Sequence, residues 1–311
     1  MLGEPAIECP QSLLAAARGS KPVRTAVVNA VNAVALESAR DAAAAGLIEP
    51  VLVGNLDEIR RVADQIGWDI GIFEVIEANG EDAAALAGAM AAGKGRVDAL
   101  MKGHLHTDSF MKAVLNKEAG LRMGQPLAHV AHLTLPGRAG SIIVSDGALN
   151  PAPDVEQKKA IIKYTIGLAQ ALGNARPKVA LLSATEVVSA KIPSTGEGVE
   201  LTKWARENVK DADVDGPLAF DLAVSPEAVE IKGIKGSPVA GKADILIVPE
   251  IVTGNVLMKT MIRLMGACLG GVVVGAKVPI ILTSRADAPA ARLASAALAA
   301  ALKNHAARTA A

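Results

Sequence analysis

The chain has 311 residues, 32 basic and 32 acidic, and no net formal charge at neutral pH. At 51% hydrophobic it can bury a sizeable core, which excludes intrinsic disorder and fits one large or two ordinary domains. Balanced charge and only 2% aromatic residues exclude a nucleic-acid surface, which needs excess Lys and Arg and rings for stacking, and argue against an anionic membrane as partner.

Short β-branched runs alternate with longer Ala-rich segments, the pattern of an α/β fold with a mostly parallel sheet covered on both faces. The N-terminal stretch carries Glu4, Pro5, Glu8 and Pro10 and does not read as a signal peptide. Strands are expected at 23–29 and 50–54, with a helix over 33–45 stopped by Gly46. A nearly all-alanine helix at 82–93 leads to a strand at 98–102 and a helix at 109–116. The Pro136-Gly137-Arg138-Ala139-Gly140 segment reads as a crossing between two lobes. A strand at 141–145 precedes the clearest helix, 155–172, where Asp154 and Gln157 form a capping box and Gly173 ends the run. Further strands are expected at 178–183, 217–221, 244–249 and 278–283. The Gly-rich tract at 269–275 reads as a second crossing, so the first lobe comprises 1–138 plus 277–311 and the second 139–276.

Cys9 and Cys268 lie far apart with no CxxC or Cys/His spacing, which disfavours a disulfide framework or zinc site and fits a reducing cytoplasm. No run reaches the roughly 18–20 apolar residues that span a bilayer. The P-loop, the dinucleotide glycine fingerprint, the GxSxG elbow and HExxH are all missing.

Three segments place polar groups at strand ends, where open α/β sheets bind ligands. The first is MKGHLHTD, 101–108, holding Lys102, His104, His106 and Thr107. Its two histidines alternate and point to opposite sides if extended, which disfavours a shared metal. Thr107 or Asp108 could cap the following helix, a role compatible with anion binding. The second runs through 250–255 to a helix start at Thr253-Gly254-Asn255, with Lys259 and Arg263 one turn apart on one face. Such stacked like charges form either a solvated basic face or a seat for an anion. The third is PIILTSRADAP, 279–289, where a fully apolar strand delivers Thr283, Ser284 and Arg285. Arginine is the side chain best shaped for bidentate phosphate binding, while Asp287 ahead of Pro289 reads as a helix N-cap.

From about Val23 onward the chain resembles the phosphate acetyltransferase/butyryltransferase family, and is most similar to the phosphotransacetylase type that also occurs fused to an enoyl-CoA hydratase. The likeness rests on MKGHLHTDSFMKAVLNKEAGLR, SDGALNPAPD, PKVALLSATE, DGPLAFDLAVSPEA, SPVAGKADILIVPEIVTGN and VPIILTSRAD. It implies a two-lobed α/β/α sandwich of the isopropylmalate-dehydrogenase-like type, with mostly parallel sheets and an active cleft between the lobes. It implies transfer of a short acyl group between coenzyme A and phosphate, both substrates, with no metal or redox cofactor. Ser284 and Arg285 match the family's active-site pair, Arg263 its second substrate-site arginine, and Thr107 the hydroxyl of its first-lobe motif. Lys102, His106, Thr253, Asn255 and Lys259 stand beside these as further expected phosphate or coenzyme A contacts.

Two departures are visible. Ala291 stands where the acetyl type has an aspartate, leaving Asp287 as the nearest carboxylate for a base, and the family's Lys-bearing loop is reduced to Ser183-Ala184-Thr185-Glu186. Acetyl transfer is favoured; butyryl transfer, or an acyl-CoA or acyl-phosphate sensor without turnover, are the alternatives. A metal-dependent hydroxy-acid dehydrogenase is disfavoured, because the chain shows Asp215 and Asp221 but no clear carboxylate triad and no dinucleotide site. A homodimer is expected, joined through the Met-rich segment 256–275 of the second lobe.

Overall fold

The computed structural model describes residues 7–19, 21–283 and 287–309. The chain divides into two compact units at Leu127/Ala128 and at Leu269/Gly270, so the first unit is discontinuous. Each expected strand forms within a few residues of its predicted position.

The first unit opens with α1 (Gln11–Ala17), β1 (Val23–Val28), α2 (Ala33–Ala44), β2 (Ile48–Gly54), α3 (Leu56–Gln65) and β3 (Glu74–Glu77). It continues with α4 (Glu81–Gly93), β4 (Ala99–Lys102) and α5 (Thr107–Val114). Asn32 caps α2 by accepting from the Ala35 amide at 2.9 Å. The small side chains of α4 let it lie close on the sheet, and a Cβ on Gly88 would come within 2.6 Å of Val28 Cγ2. A chain so poor in aromatics fills its core by such close approach. Among the described residues Phe110 is the one aromatic of the largest fully buried side chains, the rest being Leu and Ile.

The second unit contains β5 (Ala128–Thr134), β6 (Ile142–Ser145), α6 (Val155–Ala171), β7 (Lys178–Leu182), α7 (Pro193–Asn208) and β8 (Asp213–Leu218). It ends with α8 (Phe220–Val224), α9 (Pro226–Ile231), β9 (Ile245–Ile247) and α10 (Ile251–Met265). Its strands lie in the order β5-β6-β9-β7-β8, parallel except for β5 against β6. That exception corrects the reading of residues 136–140. They are the turn of an antiparallel hairpin inside one unit, with Gly137 and Gly140 at φ 72° and 85°. The expected capping box of α6 is present, Gln157 N donating to Asp154 at 2.8 Å and Asp154 N to Gln157 at 2.9 Å.

The chain re-enters the first unit through β10 (Cys268–Val274), β11 (Ile280–Ile281) and α11 (Pro289–Thr309). There the strand order is β3-β2-β1-β4-β11-β10, with β10 alone antiparallel to its neighbour. Among the described residues no helix is long and apolar enough to cross a membrane.

Candidate functional site

In the first unit, β1 pairs with β2 on one side and β4 on the other, so the winding direction reverses between β1 and β4. Chain segments leaving the two strands diverge there, which makes the strands' carboxyl ends the natural ligand crevice. The exits are tied together: Gly103 N donates to Val28 O and His104 N to Asn29 O, each at 2.9 Å. Only glycine allows this, because a Cβ at Gly103 would stand 2.4 Å from Val28 O and 2.8 Å from Asn29 O. Asn29 takes a left-handed φ of 55°, which asparagine tolerates better than most residues, and its amide donates to His104 O at 2.5 Å. Asn32 caps α2 through its oxygen, so its nitrogen faces His104 Nδ1 at 3.0 Å. Nδ1 is then the acceptor, which assigns the proton of a neutral His104 to Nε2.

A hollow of about 300 Å³, counting its open mouth, lies at this point, lined by Asn32, Val34, Lys102, Gly103, Thr283 and Arg292 among others. Lys102 is the last residue of β4 and is 8% exposed. Arg292 is equally buried, one turn into α11. None of the described residues lining the hollow is acidic.

The other expected residues of this unit stand as follows. His106 is exposed and its ring nitrogen Nδ1 lies 3.0 Å from the Glu81 carboxylate, which also accepts the His106 amide at 2.8 Å. Burial pushes the Glu81 carboxyl up, but the bonds from the His106 amide and ring and from Ser109 prevail and hold it below the usual range. The two histidines thus have different partners. Thr107 is the exposed first residue of α5 and makes no side-chain hydrogen bond among the described residues. Neither Thr107 nor Asp108 caps the helix: the N-cap position is His106, and its amide is met by Glu81 from α4. Asp287 is half-buried two residues before α11, and its carbonyl accepts from Arg292 Nη1 at 2.5 Å. Ser284 and Arg285 lie outside the described residues.

In the second unit, α10 begins three residues earlier than the sequence pattern implied. Glu250 is its N-cap, accepting from Val252 N at 2.7 Å and Thr253 N at 2.8 Å, so Thr253 and Asn255 sit in its first turns. The Thr253 hydroxyl also donates to Glu250, and that bond holds the Glu250 carboxyl below the usual range against burial, which raises it. Asn255 donates to Gly147 O at 3.1 Å. The start of α10 thereby docks on the loop leaving β6, glycine against glycine: a Cβ on Gly254 would lie 2.7 Å from Asp146 O and 2.9 Å from the Gly147 Cα. Farther along, Lys259 and Arg263 are exposed and pair with no carboxylate among the described residues. A second hollow, about 220 Å³, opens at the ends of β7 and β9, where the buried Lys158 is paired with Glu197. No metal-binding cluster of three or more His, Cys, Asp or Glu side chains occurs among the described residues.

Two residues of the first hollow escaped the sequence pattern. Arg292 sits inside an Ala-rich run that reads as helix alone, and Asn32 reads as a helix cap. For Asn32 the signal was available, since it stands just beyond a strand end.

A basic crevice at the switch point of an open parallel sheet is the equipment of an α/β enzyme for small anionic substrates. Residues 81–300 match the family model described as phosphate acetyl/butaryl transferase, and the chain belongs to that family, whose members are acyltransferases. It is 44% identical to a phosphate acetyltransferase of Rhizobium meliloti over 93% of this chain and 91% of that one. It is 40% identical to a phosphate butyryltransferase of Clostridium acetobutylicum, covering 89% and 92% respectively. Among solved structures, a branched-chain phosphotransacylase from Enterococcus faecalis superposes with a TM-score of 0.78 at 32% identity, over 91% of this chain and 99% of that one. A 4-hydroxythreonine-4-phosphate dehydrogenase from Burkholderia phymatum, TM-score 0.56 and 14% identity over 91% and 98%, shares the fold alone.

Proposed function

We propose that this enzyme transfers an acetyl group reversibly between coenzyme A and inorganic phosphate. The observation that carries the reading is the hollow at the switch point, where no described lining residue is acidic and the buried cations Lys102 and Arg292 face a space fit for a small anion. Membership in the transferase family supplies the reaction class, and the higher identity to an acetyltransferase than to a butyryltransferase favours acetyl.

In the proposed mechanism the coenzyme A thiol attacks the carbonyl of acetyl phosphate directly. The carbon–sulfur bond forms, the carbon–oxygen bond to phosphate breaks, and inorganic phosphate leaves. A thiol of pKa about 8.5 is only a few per cent thiolate at neutral pH, so a base must take its proton. Asp287 is assigned that part. Ser284 donates to the oxyanion that develops on the carbonyl, and Arg285 and Arg263 hold the phosphate as its charge grows. Thr107, His106, Thr253, Asn255 and Lys259 are assigned to holding or positioning the substrates.

Thioester formation followed by ultraviolet absorbance, with acetyl, propionyl and butyryl phosphate in parallel, tests the reading. Acetyl phosphate should turn over fastest, and Ser284→Ala should lower kcat by about 10²–10³. Butyryl phosphate turning over as well or better would transfer the assignment to a butyryltransferase. Tight coenzyme A binding without any turnover would sink the enzymatic reading in favour of a sensor.

A further inference from the structure

We infer that the hollow at the ends of β1, β4 and β11 is a phosphoryl-binding site whose central cation is Arg292. Arg292 is 9% exposed and sits in the first turn of α11. Two costs attach to that position. The start of a helix carries positive partial charge and repels a cation. A guanidinium withdrawn from water is also costly unless an anion faces it. Elsewhere the chain meets the demand with a carboxylate: the buried Lys158 lies against Glu197. For Arg292 there is none among the described residues. Among the described residues its guanidinium makes a single hydrogen bond, from Nη1 to the Asp287 carbonyl, and Nε is buried with no partner.

Other donors stand at the same hollow. The Lys102 ammonium is buried at the end of β4, and the Thr283 hydroxyl has no partner among the described residues. The start of α2 adds its orphan amides. Asn32 satisfies Ala35, whereas Ala33 and Val34, one of them in the hollow wall, donate to nothing among the described residues. Two buried cations, a hydroxyl, helix amides unpaired within the described residues and no acid among them make a site for a tetrahedral dianion, and Arg supplies the fork that grips two of its oxygens. The phosphoryl group could be borne by inorganic phosphate or by coenzyme A; naming those two carriers rests on the transferase reading, whereas the site itself does not.

Calorimetry on the full chain with inorganic phosphate, coenzyme A and 3′-dephospho-coenzyme A as separate probes, together with ligand-free thermal midpoints, tests the site. Arg292→Met removes an unneutralised buried charge, so the ligand-free midpoint should hold or rise. Binding of the phosphoryl probe that occupies the site should weaken on the order of 10- to 100-fold. Loss confined to inorganic phosphate assigns the site to the transferred group. Loss for coenzyme A that is absent with the dephospho form assigns it to the 3′-phosphate, and both outcomes support the inference. Arg292→Lys, which keeps charge but not the fork, and Lys102→Met should each weaken the same probe with the fold intact. Unchanged affinity for every probe, or a midpoint that falls by several degrees with binding intact, overturns the inference and makes Arg292 a structural residue. Acyl transfer by the unaltered enzyme is measured alongside. Its absence would refute the proposed function while leaving the binding results to decide on Arg292.

Discussion

Replacing Asp146 with Asn should destabilise the unit spanning 128–269 by about 3–5 kcal/mol. Asp146 is 2% exposed at the exit of β6. One carboxylate oxygen accepts from Ala148 N at 2.9 Å and Leu149 N at 3.0 Å; the other accepts from His129 N at 3.0 Å and Asn150 Nδ2 at 2.7 Å. All four partners are donors. Asn retains one oxygen, but its amide nitrogen must then face two of them, so two bonds become donor–donor contacts. Leaving a buried donor unsatisfied costs roughly 1–3 kcal/mol, and the two surviving bonds lose the gain that ionisation gives. The His129 amide is deeply buried and should carry the larger share, while Asn150 is nearer water. At roughly 2–4 °C per kcal/mol for a unit of this size, the thermal midpoint should fall on the order of 10 °C. Thermal and urea unfolding followed by circular dichroism would measure the loss. Transfer activity should fall as well, because the same loop seats the Gly254 turn of α10. A variant within about 1 kcal/mol of the parent would show that the loop's order does not depend on these four bonds.

Burial holds the His132 pKa down to about 4 against an ordinary 6.5. The ring is neutral in the fold but takes up a proton in the unfolded chain, so stability is full above about pH 6.5 and drains away as pH falls towards 4, by about 3 kcal/mol; His132→Gln should flatten that pH dependence in urea titrations. Gly103→Ala would set a Cβ 2.4 Å from Val28 O, a backbone atom, and should cost about 1–3 kcal/mol while lowering activity further by parting the β1 and β4 exits; an active variant of parental stability refutes the close-approach argument. We propose a homodimer of about 63 kDa, twice the chain mass of 31.7 kDa, formed through the stripe Val252, Val256 and Leu264 on α10, which are 63%, 58% and 82% exposed. Leu264→Glu should give a monomer of reduced activity by light scattering, and a parent chain that is monomeric and fully active at micromolar concentration rules the dimer out.

Most of the architecture was legible because strands buried on both faces are written as unbroken apolar runs, as in β2 and β4. What escaped had a physical reason in each case. In β5, His129 and His132 interrupt the apolar run, yet both are buried, so polarity masked a buried strand. The edge strand β3, Glu-Val-Ile-Glu, has little apolar burial to announce it. The strand expected at 217–221 lies earlier, as β8, because Asp213 and Asp215 belong to the strand while Phe220 and Asp221 turn into α8. In α10 the Thr-Gly-Asn triplet looked like an approach to a helix, but Glu250 had already capped it. The Met-rich run beyond it divides likewise: Met258 and Met261 are core, Leu264 and Met265 are exposed, and Gly266 in the left-handed region ends the helix before β10 begins.

The expected site residues separate by what the fold already asks of them. His106, Thr253 and Asn255 each have one polar side-chain atom engaged, with Glu81, Glu250 and Gly147 O respectively, so their first effect is to set where α5 and α10 start. Lys259, Arg263 and Thr107 have no such engagement among the described residues and remain available to a ligand. A sequence motif displays both kinds alike, because spacing reveals residue type and face but not whether a hydrogen bond is already made. Arg292 is the converse case. Nothing around it in sequence marks it, and its significance lies wholly in a tertiary fact, a buried guanidinium with no carboxylate among the described residues to neutralise it. A charge stranded in this way raises the energy of the empty protein, and any anion that relieves it gains affinity by the same interaction, so the features that cost stability here are those that make the hollow selective for phosphate.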